Sequence, residues 1–127
     1  LSHFLAELNL QRRPPSQRAR TTEENVRATI EFMNQNLSRP LTLDDLAQHA
    51  RLSPSHYSTI FRRITGYAPM TFFLRKKMLK AAEVLRTHNR KVFEVARLVG
   101  IEDPYYFSRL FKRVMGAAPL HYRTENQ

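Results

Sequence analysis

Apolar residues recur every three or four positions along most of the chain, which is the spacing of one face of an α-helix. Val26, Ile30 and Met33 follow this spacing before Pro40 interrupts it, and they predict a first helix of about four turns. The alternation of apolar and polar residues that marks a half-buried strand is missing from the sequence, and glycines number only 3. The pattern therefore predicts an all-α fold.

Residues that favour helix ends divide the chain into short helices. Thr21 and Thr42 are each followed three positions later by an acidic residue, as in a capping box, and Ser53 precedes Pro54, a good first-turn residue. We predict about seven helices. The first begins at Thr21, five more cover residues 42–50, 54–65, 69–87, 91–99 and 104–115, and a last turn begins at Pro119.

The second half of the chain repeats the first at an offset of 50 residues. The segment SPSHYSTIFRRITGYAP at 53–69 aligns with DPYYFSRLFKRVMGAAP at 103–119. Upstream, Leu46-Ala47 aligns with Val95-Ala96 at an offset of 49, because one residue has been added in the turn between the paired helices. The aligned identical pairs are Pro54/Pro104, Ser58/Ser108, Phe61/Phe111, Arg63/Arg113, Gly66/Gly116, Ala68/Ala118 and Pro69/Pro119.

Each repeat has the composition of a helix-turn-helix unit. A small residue, Ala47 or Ala96, lets the second helix of each unit cross the first closely, and that second helix carries one apolar stripe. The stripes are Tyr57, Ile60, Phe61 and Ile64 in the first unit and Phe107, Leu110, Phe111 and Val114 in the second. The opposite face is left for a partner, a layout suited to the major groove of a duplex. An α-solenoid is the alternative, but two units are few for a solenoid.

Composition narrows the partner to a polyanion. The 127 residues include 21 Lys and Arg against 11 Asp and Glu, a formal charge of +10, and charge alone leaves DNA, RNA and an acidic membrane surface open. The chain has no Cys, which removes disulfides and thiolate metal sites, and no apolar stretch approaches the roughly 20 residues that a membrane span requires. We predict no cofactor and no metal.

The first twenty residues differ in character from the rest. Leu1, Phe4, Leu5 and Leu8 form a short helical stripe, and QRRPPSQRAR follows. We predict that 1–20 are the end of an N-terminal domain plus a linker, whose arginines either form a solvated tether or grip phosphate. Residues 21–127 form the tandem module: unit one at about 23–66, the linker helix at about 69–87 and unit two at about 88–124.

The sequence at about 23–124 resembles the DNA-binding domain of the AraC/XylS family of bacterial transcription regulators. The strongest part is VARLVGIEDPYYFSRLFKRVMGAAPLHYR, with Ile101 where the family usually has Phe, while in the linker helix Lys77 stands where Arg is common. The matching positions are Ala96, Gly100, Asp103, Tyr106, Phe107, Ser108, Phe111, Lys112, Gly116, Pro119, Tyr122 and Arg123. The resemblance implies seven helices, double-stranded DNA as partner and recognition helices about 34 Å apart. It further implies a cytoplasmic regulator with an N-terminal effector or dimerisation domain, and RNA polymerase as a further partner.

The resemblance also implies which side chains contact bases. Those positions are Ser55, Ser58 and Thr59 in the first unit and Tyr105, Tyr106 and Arg109 in the second. Arg109 can bind guanine through two hydrogen bonds, whereas short hydroxyls discriminate weakly, so we expect the second unit to be the more selective. The alternatives are partial packing against the neighbouring helix for Tyr105 and Tyr106 and a salt bridge to Glu102 for Arg109.

Phosphate contacts are expected beside the base contacts. The candidate side chains are Ser53, His56, Arg62, Arg63, Lys112 and Arg113, with His56 also able to donate to a base. The backbone amides at 53–55 and 103–105 are further candidates. The basic residues of the linker helix, Arg75, Lys76, Lys77 and Lys80, are interpreted as a solvated face or as further phosphate contacts.

Two other functions are weighed against DNA binding. Catalysis is disfavoured because His3, His49, His56, His88 and His121 have no metal-ligand spacing and no glycine-rich phosphate loop is present. A membrane-surface role for 69–87 would need its apolar face. We instead assign that face to a joint core between the two units, made by Phe73, Met78, Ala81, Ala82 and Leu85.

Overall fold

A computed structural model describes residues 19–126, with side chains described through residue 123, and within these bounds all regular structure is helical. The helices are α1 (Thr22–Gln35), α2 (Leu43–Ala50), α3 (Pro54–Thr65), α4 (Pro69–Thr87), α5 (Val92–Leu98), α6 (Pro104–Met115) and α7 (Pro119–Asn126). The predicted all-α fold with about seven helices is confirmed. The predicted stripe at Leu1–Leu8 and the arginines Arg12, Arg13 and Arg18 lie outside the described residues.

Local hydrogen bonds explain where several helices begin. The Thr21 hydroxyl accepts from the Glu24 amide at 3.1 Å, and Thr42 and Asp45 exchange backbone-to-side-chain bonds of 2.8 and 3.1 Å. Hydrogen bonds from Thr42 hold the pKa of the Asp45 carboxyl below its usual value. Prolines occupy the first turns of α3, α4 and α6, where no amide is required. The helix boundaries are therefore set mainly by local sequence.

Unit one is built around Tyr57 and Phe61 of α3, both fully buried. The hydroxyls of Tyr57 and Thr29 are hydrogen bonded at 2.8 Å, so the one polar end of the buried ring has a partner. Burial raises the pKa of Tyr57 to about 12 despite this bond. Phe72 of α4 meets Phe61 edge-on at 5.2 Å, which ties the linker helix to this unit.

Unit two repeats the arrangement around Phe107 and Phe111 of α6, which are also fully buried. Tyr122 of α7 packs edge-on against Phe111 with ring centroids 5.5 Å apart. Arg123 donates to the Arg90 carbonyl and so fastens α7 to the connection between α4 and α5. Phe61 and Phe111, one from each predicted apolar stripe, thus lie in separate cores.

The linker helix α4 serves both cores, but it does not join them. Phe73 belongs to the core of unit one, whereas Met78 and the buried residues after it belong to that of unit two. Among the described residues, no buried side chain is shared by the two clusters. The predicted joint core is therefore wrong: the apolar face of α4 is divided at Lys77.

Lys77 is buried, with 9% of its surface exposed, and the interpretation of it as part of a solvated face is wrong. Its ammonium donates to the backbone carbonyls of Leu37 at 2.6 Å, Val99 at 2.9 Å and Arg39 at 3.2 Å. It also lies 4.5 Å from the centre of the Phe73 ring. The residues that meet around Lys77 and Gly100 link the two units and are here called the seam: Leu37, Ser38, Arg39, Lys77, Val99 and Gly100.

The burial of Lys77 predicts a pH-dependent contribution to stability. Desolvation lowers its pKa to about 8, although the carbonyl oxygens favour the ammonium. The unfolded chain keeps this proton until about pH 10.4, so between these values it binds more protons than the folded chain. The free energy of unfolding, relative to Lys77→Met, should therefore rise by about 1–2 kcal/mol from pH 7 to 9.5. Urea denaturation of both proteins at each pH measures it.

The matched control is Lys80→Met, because Lys80 is an exposed lysine on the same helix. Its ammonium lies 3.6 Å from a carboxylate oxygen of Glu83. Its difference from wild type should change little over the same pH range. A difference between wild type and Lys77→Met that is equally flat would show that Lys77 keeps an ordinary pKa.

Candidate nucleic-acid interface

Helices α3 and α6 present equivalent faces away from their cores. Each has 12 residues, begins with proline and ends at a glycine with positive φ, Gly66 or Gly116. On each helix the apolar stripe packs inward, so positions about half a turn away face outward. In α3 the centre of that outward face carries Ser55, Thr59 and Arg62, and in α6 it carries the corresponding Tyr105, Arg109 and Lys112.

The predicted base-contacting residues of unit one differ in accessibility. Ser55 and Thr59 are exposed, whereas Ser58 is half-buried at the flank of the helix. The Thr59 hydroxyl donates to the Ser55 carbonyl at 3.1 Å, so it offers a partner chiefly its oxygen lone pairs and methyl group. This unit thus presents a small, weakly directional surface.

The residues predicted for unit two present a larger surface. Tyr105 is 78% exposed and Tyr106 49% exposed. The guanidinium of Arg109 lies 5.8 Å from the centre of the Tyr106 ring and forms no salt bridge to Glu102. The alternative role of Arg109 as a partner of Glu102 is therefore not realised. Its donors remain directed to the outer face of α6 beside an aromatic ring.

The repeat makes His56 the counterpart of Tyr106, although the sequence assigned one to phosphate and the other to a base. Both side chains are exposed on the same flank of their helices. Equivalent placement favours the second role considered for His56, donation to a base edge.

The cations predicted to meet phosphate are exposed at the C-terminal ends of the two helices. They are Arg62, Arg63, Lys112 and Arg113. Within residues 19–123 the salt bridges join Arg27 to Glu23 and Lys80 to Glu83, and involve none of these four. Each unit therefore offers two uncompensated positive charges beside its outward face.

The backbone amides at 103–105 do not fit their predicted role in phosphate binding. The Asp103 carboxylate caps α6 and accepts from the amides of Tyr105 at 2.9 Å and Tyr106 at 3.4 Å. A carboxylate at this position repels phosphate as well as occupying the donors. In unit one the neutral Ser53 hydroxyl caps α3 by accepting from the His56 amide at 3.2 Å. Of these two capping residues, only Asp103 at the start of α6 carries a negative charge.

Among residues 19–126, none of the helices combines the length and apolar character needed to cross a membrane. In that same part of the chain, His, Asp and Glu side chains nowhere gather as a group of three able to hold a metal ion.

The tandem units define a helix-turn-helix protein, and the family model described as "Helix-turn-helix domain" matches residues 46–125, more than half of the chain. The MmsAB operon regulatory protein of Pseudomonas aeruginosa is 39% identical over 92 residues, which are 72% of this chain and 30% of that protein. With these similarities, the chain belongs to the AraC-type helix-turn-helix family. It spans 30–37% of the length of the first three curated relatives.

Solved structures have the same fold. The C-terminal domain of AraT, a response regulator from Geobacillus stearothermophilus, has a TM-score of 0.75 at 31% identity, covering 79% of this chain and 84% of that one. The DNA-binding domain of AdpA, a global transcriptional factor, was solved in complex with a target DNA. It has a TM-score of 0.76 at 27% identity, covering 80% of this chain and 91% of that one.

Proposed function

We propose that this chain binds double-stranded DNA sequence-specifically and acts in bacterial transcription regulation. The observation that carries the proposal is the pair of equivalent helices, α3 and α6, whose outward faces are exposed and basic and which one linker helix holds in a single module. The net charge of +10 supports a polyanionic partner, and the AdpA domain of the same fold was solved on its target DNA. The two helices would enter successive major grooves.

In this proposal the two units differ in how selectively they contact bases. Tyr105, Tyr106 and Arg109 make the more selective contacts, because a guanidinium can pair with both guanine N7 and O6. Ser55, Ser58 and Thr59 read their groove through hydroxyl oxygens and the Thr59 methyl group. Arg62, Arg63, Lys112 and Arg113, with Ser53 beside them, position the helices on the phosphates, whereas His56, the counterpart of Tyr106, donates to a base edge.

Removing the Arg109 guanidinium should relax sequence preference at one base pair. Arg109→Ala is expected to lose about 1–3 kcal/mol of binding free energy on the preferred site, and to lose its preference at one G·C pair only. The measurement is selection of bound duplexes from a random pool with wild type and variant, followed by titration of the selected site.

Arg63→Ala provides the comparison, because Arg63 is an exposed cation on the flank of the other recognition helix. It should weaken all duplexes about equally and leave the selected motif unchanged. If Arg109→Ala also weakens every duplex uniformly, Arg109 contacts phosphate and the proposed division of work is wrong. Failure of the wild type to enrich any motif would contradict sequence-specific binding itself.

We also propose the kind of activity, the cellular location and the further partners of the protein. AraC-type family members are DNA-binding regulators, which favours binding over catalysis for this chain. Its place would be the bacterial cytoplasm, where the DNA is. An N-terminal domain for effector binding or dimerisation, and contact with RNA polymerase, remain predictions from the family resemblance.

A further inference from the structure

We propose that Lys77 is a positioning residue that fixes unit two relative to unit one, and so determines which spacing between two DNA subsites the protein accepts. The effect on subsite spacing rests on the proposed function, whereas the positioning of the two units by Lys77 rests on the contacts of the seam alone. Lys77 touches no outward face of α3 or α6, so its effect on DNA would be exerted through geometry.

The acceptors around the Lys77 ammonium come from both units. Leu37 and Arg39 belong to the segment of unit one between α1 and α2, whereas Val99 directly follows α5 of unit two. One side chain thus uses its three N–H groups to hold both units. Hydrogen bonds from a charged donor are strong and directional, and together they define one relative position.

Apolar packing within two separate cores does not by itself define that position. The two hydrophobic clusters share no buried residue among those described, and their buried residues on α4 lie on either side of Lys77, although the half-buried Leu74 packs against the cluster of unit two. Hydrophobic burial is also non-directional, so the angle between the two cores depends on the helix α4 that both contact and on the polar contacts of the seam. A buried polar group often contributes specificity of arrangement more than stability.

The backbones of the two units approach each other closely at Gly100. A β-carbon placed there would lie 2.5 Å from the Ser38 carbonyl oxygen. The repeat aligns Gly100 with Arg51, which has a φ of 61° and an exposed side chain. Because an arginine occupies the equivalent turn in unit one, turn geometry alone does not require glycine. Gly100 is required by the seam.

The position of Gly100 connects the seam to DNA recognition. It lies in the turn between α5 and α6, so a seam that holds this turn also holds the start of the second recognition helix. One base pair added between two subsites rotates one against the other by about 34°. A module with a fixed seam cannot follow that rotation, whereas one with a loosened seam can do so in part.

The test compares duplexes that carry the two selected subsites at the preferred spacing and at spacings one base pair longer or shorter. Wild type should lose at least about 10-fold in affinity at the altered spacings, about 1.4 kcal/mol. Lys77→Met should lose less than about 3-fold, while keeping the base preference of each subsite. Lys80→Met, which removes the same charge from the exposed side of α4, should show the same spacing penalty as wild type.

A second measurement does not depend on DNA. The chain has no Cys, so Gln48→Cys and Arg86→Cys introduce two unique exposed labelling positions, one on each side of the seam. Spin-label distances should be narrowly distributed in the parent protein and clearly broader with Lys77→Met. If Lys77→Met does not fold, Gly100→Ala takes its place, and it should displace or broaden the distribution. Gly116→Ala is its control, because Gly116 has a similar φ of 88° and no neighbour within 4 Å.

These outcomes separate the two proposals. An unchanged distance distribution, or a spacing penalty in Lys77→Met equal to that of wild type, overturns the role of Lys77. A wild type that prefers no motif overturns the proposed function, while the distance measurement still decides whether Lys77 holds the units together.

Discussion

Phe111→Ala is expected to lower the free energy of unfolding by about 3–5 kcal/mol. Phe111 is fully buried, and its ring centroid lies 5.7 Å from that of Phe107 and 5.5 Å from that of Tyr122. Truncation therefore removes ring contacts from a small core in which few other side chains can fill the space. Urea denaturation followed by circular dichroism measures the loss. Because the cores are separate, Phe61→Ala should have an effect of similar size through unit one.

Phe93→Ala is the matched control, since it removes the same side chain from the same unit at a position that is 41% exposed. It should cost much less than Phe111→Ala. Equal stability of wild type and Phe111→Ala would contradict the assignment of Phe111 to the core.

DNA affinity should fall about 10³- to 10⁵-fold between 50 and 200 mM salt if six to ten phosphates are neutralised. The exposed cations beside α3 and α6 make this range reasonable, since each neutralised phosphate releases condensed counterions. The footprint should cover about two helical turns, with protected centres roughly 10–10.5 bp apart on one face of the duplex. Fluorescence titrations at several salt concentrations and hydroxyl-radical footprinting provide the two measurements.

Arg63→Ala should reduce the slope of log affinity against log salt by about 0.9, the value for one phosphate contact. Arg27→Ala is its control, because Arg27 lies on α1, paired with Glu23 at 2.9 Å. A salt-insensitive complex, or protection of a single half-turn, would contradict binding by two helices. Stronger binding to anionic vesicles than to duplex DNA would favour the membrane-surface alternative.

The helices and the cores could be predicted because their signals are local. Prolines and capping residues mark where helices begin, and the four-residue stripe that contains Phe61 repeats around Phe111. The aligned repeats then identified both recognition helices and the exposed residues on them. The base contacts themselves remain predictions, since they depend on a partner.

The seam could not be predicted in the same way because its contacts link distant parts of the chain. Lys77 binds carbonyls 38 and 40 residues before it and 22 residues after it, and backbone carbonyls leave no mark in a sequence. One signal was present: Phe73, Lys77, Ala81 and Leu85 follow each other at intervals of four, on the buried face of α4. A lysine within an apolar stripe indicates burial, although its neighbours in the charge run suggested exposure.

The division of α4 between two cores also affects how the protein opens. Residues after Lys77 keep their packing partners in unit two when unit one unfolds, and Phe73 keeps its own in unit one when unit two unfolds. Partial unfolding can then proceed as two cooperative units with their own opening free energies. A chain with one unit open would retain a single recognition helix and a shorter stretch of the linker. It would still associate with DNA, but it would make sequence-specific contacts with only one of the two subsites.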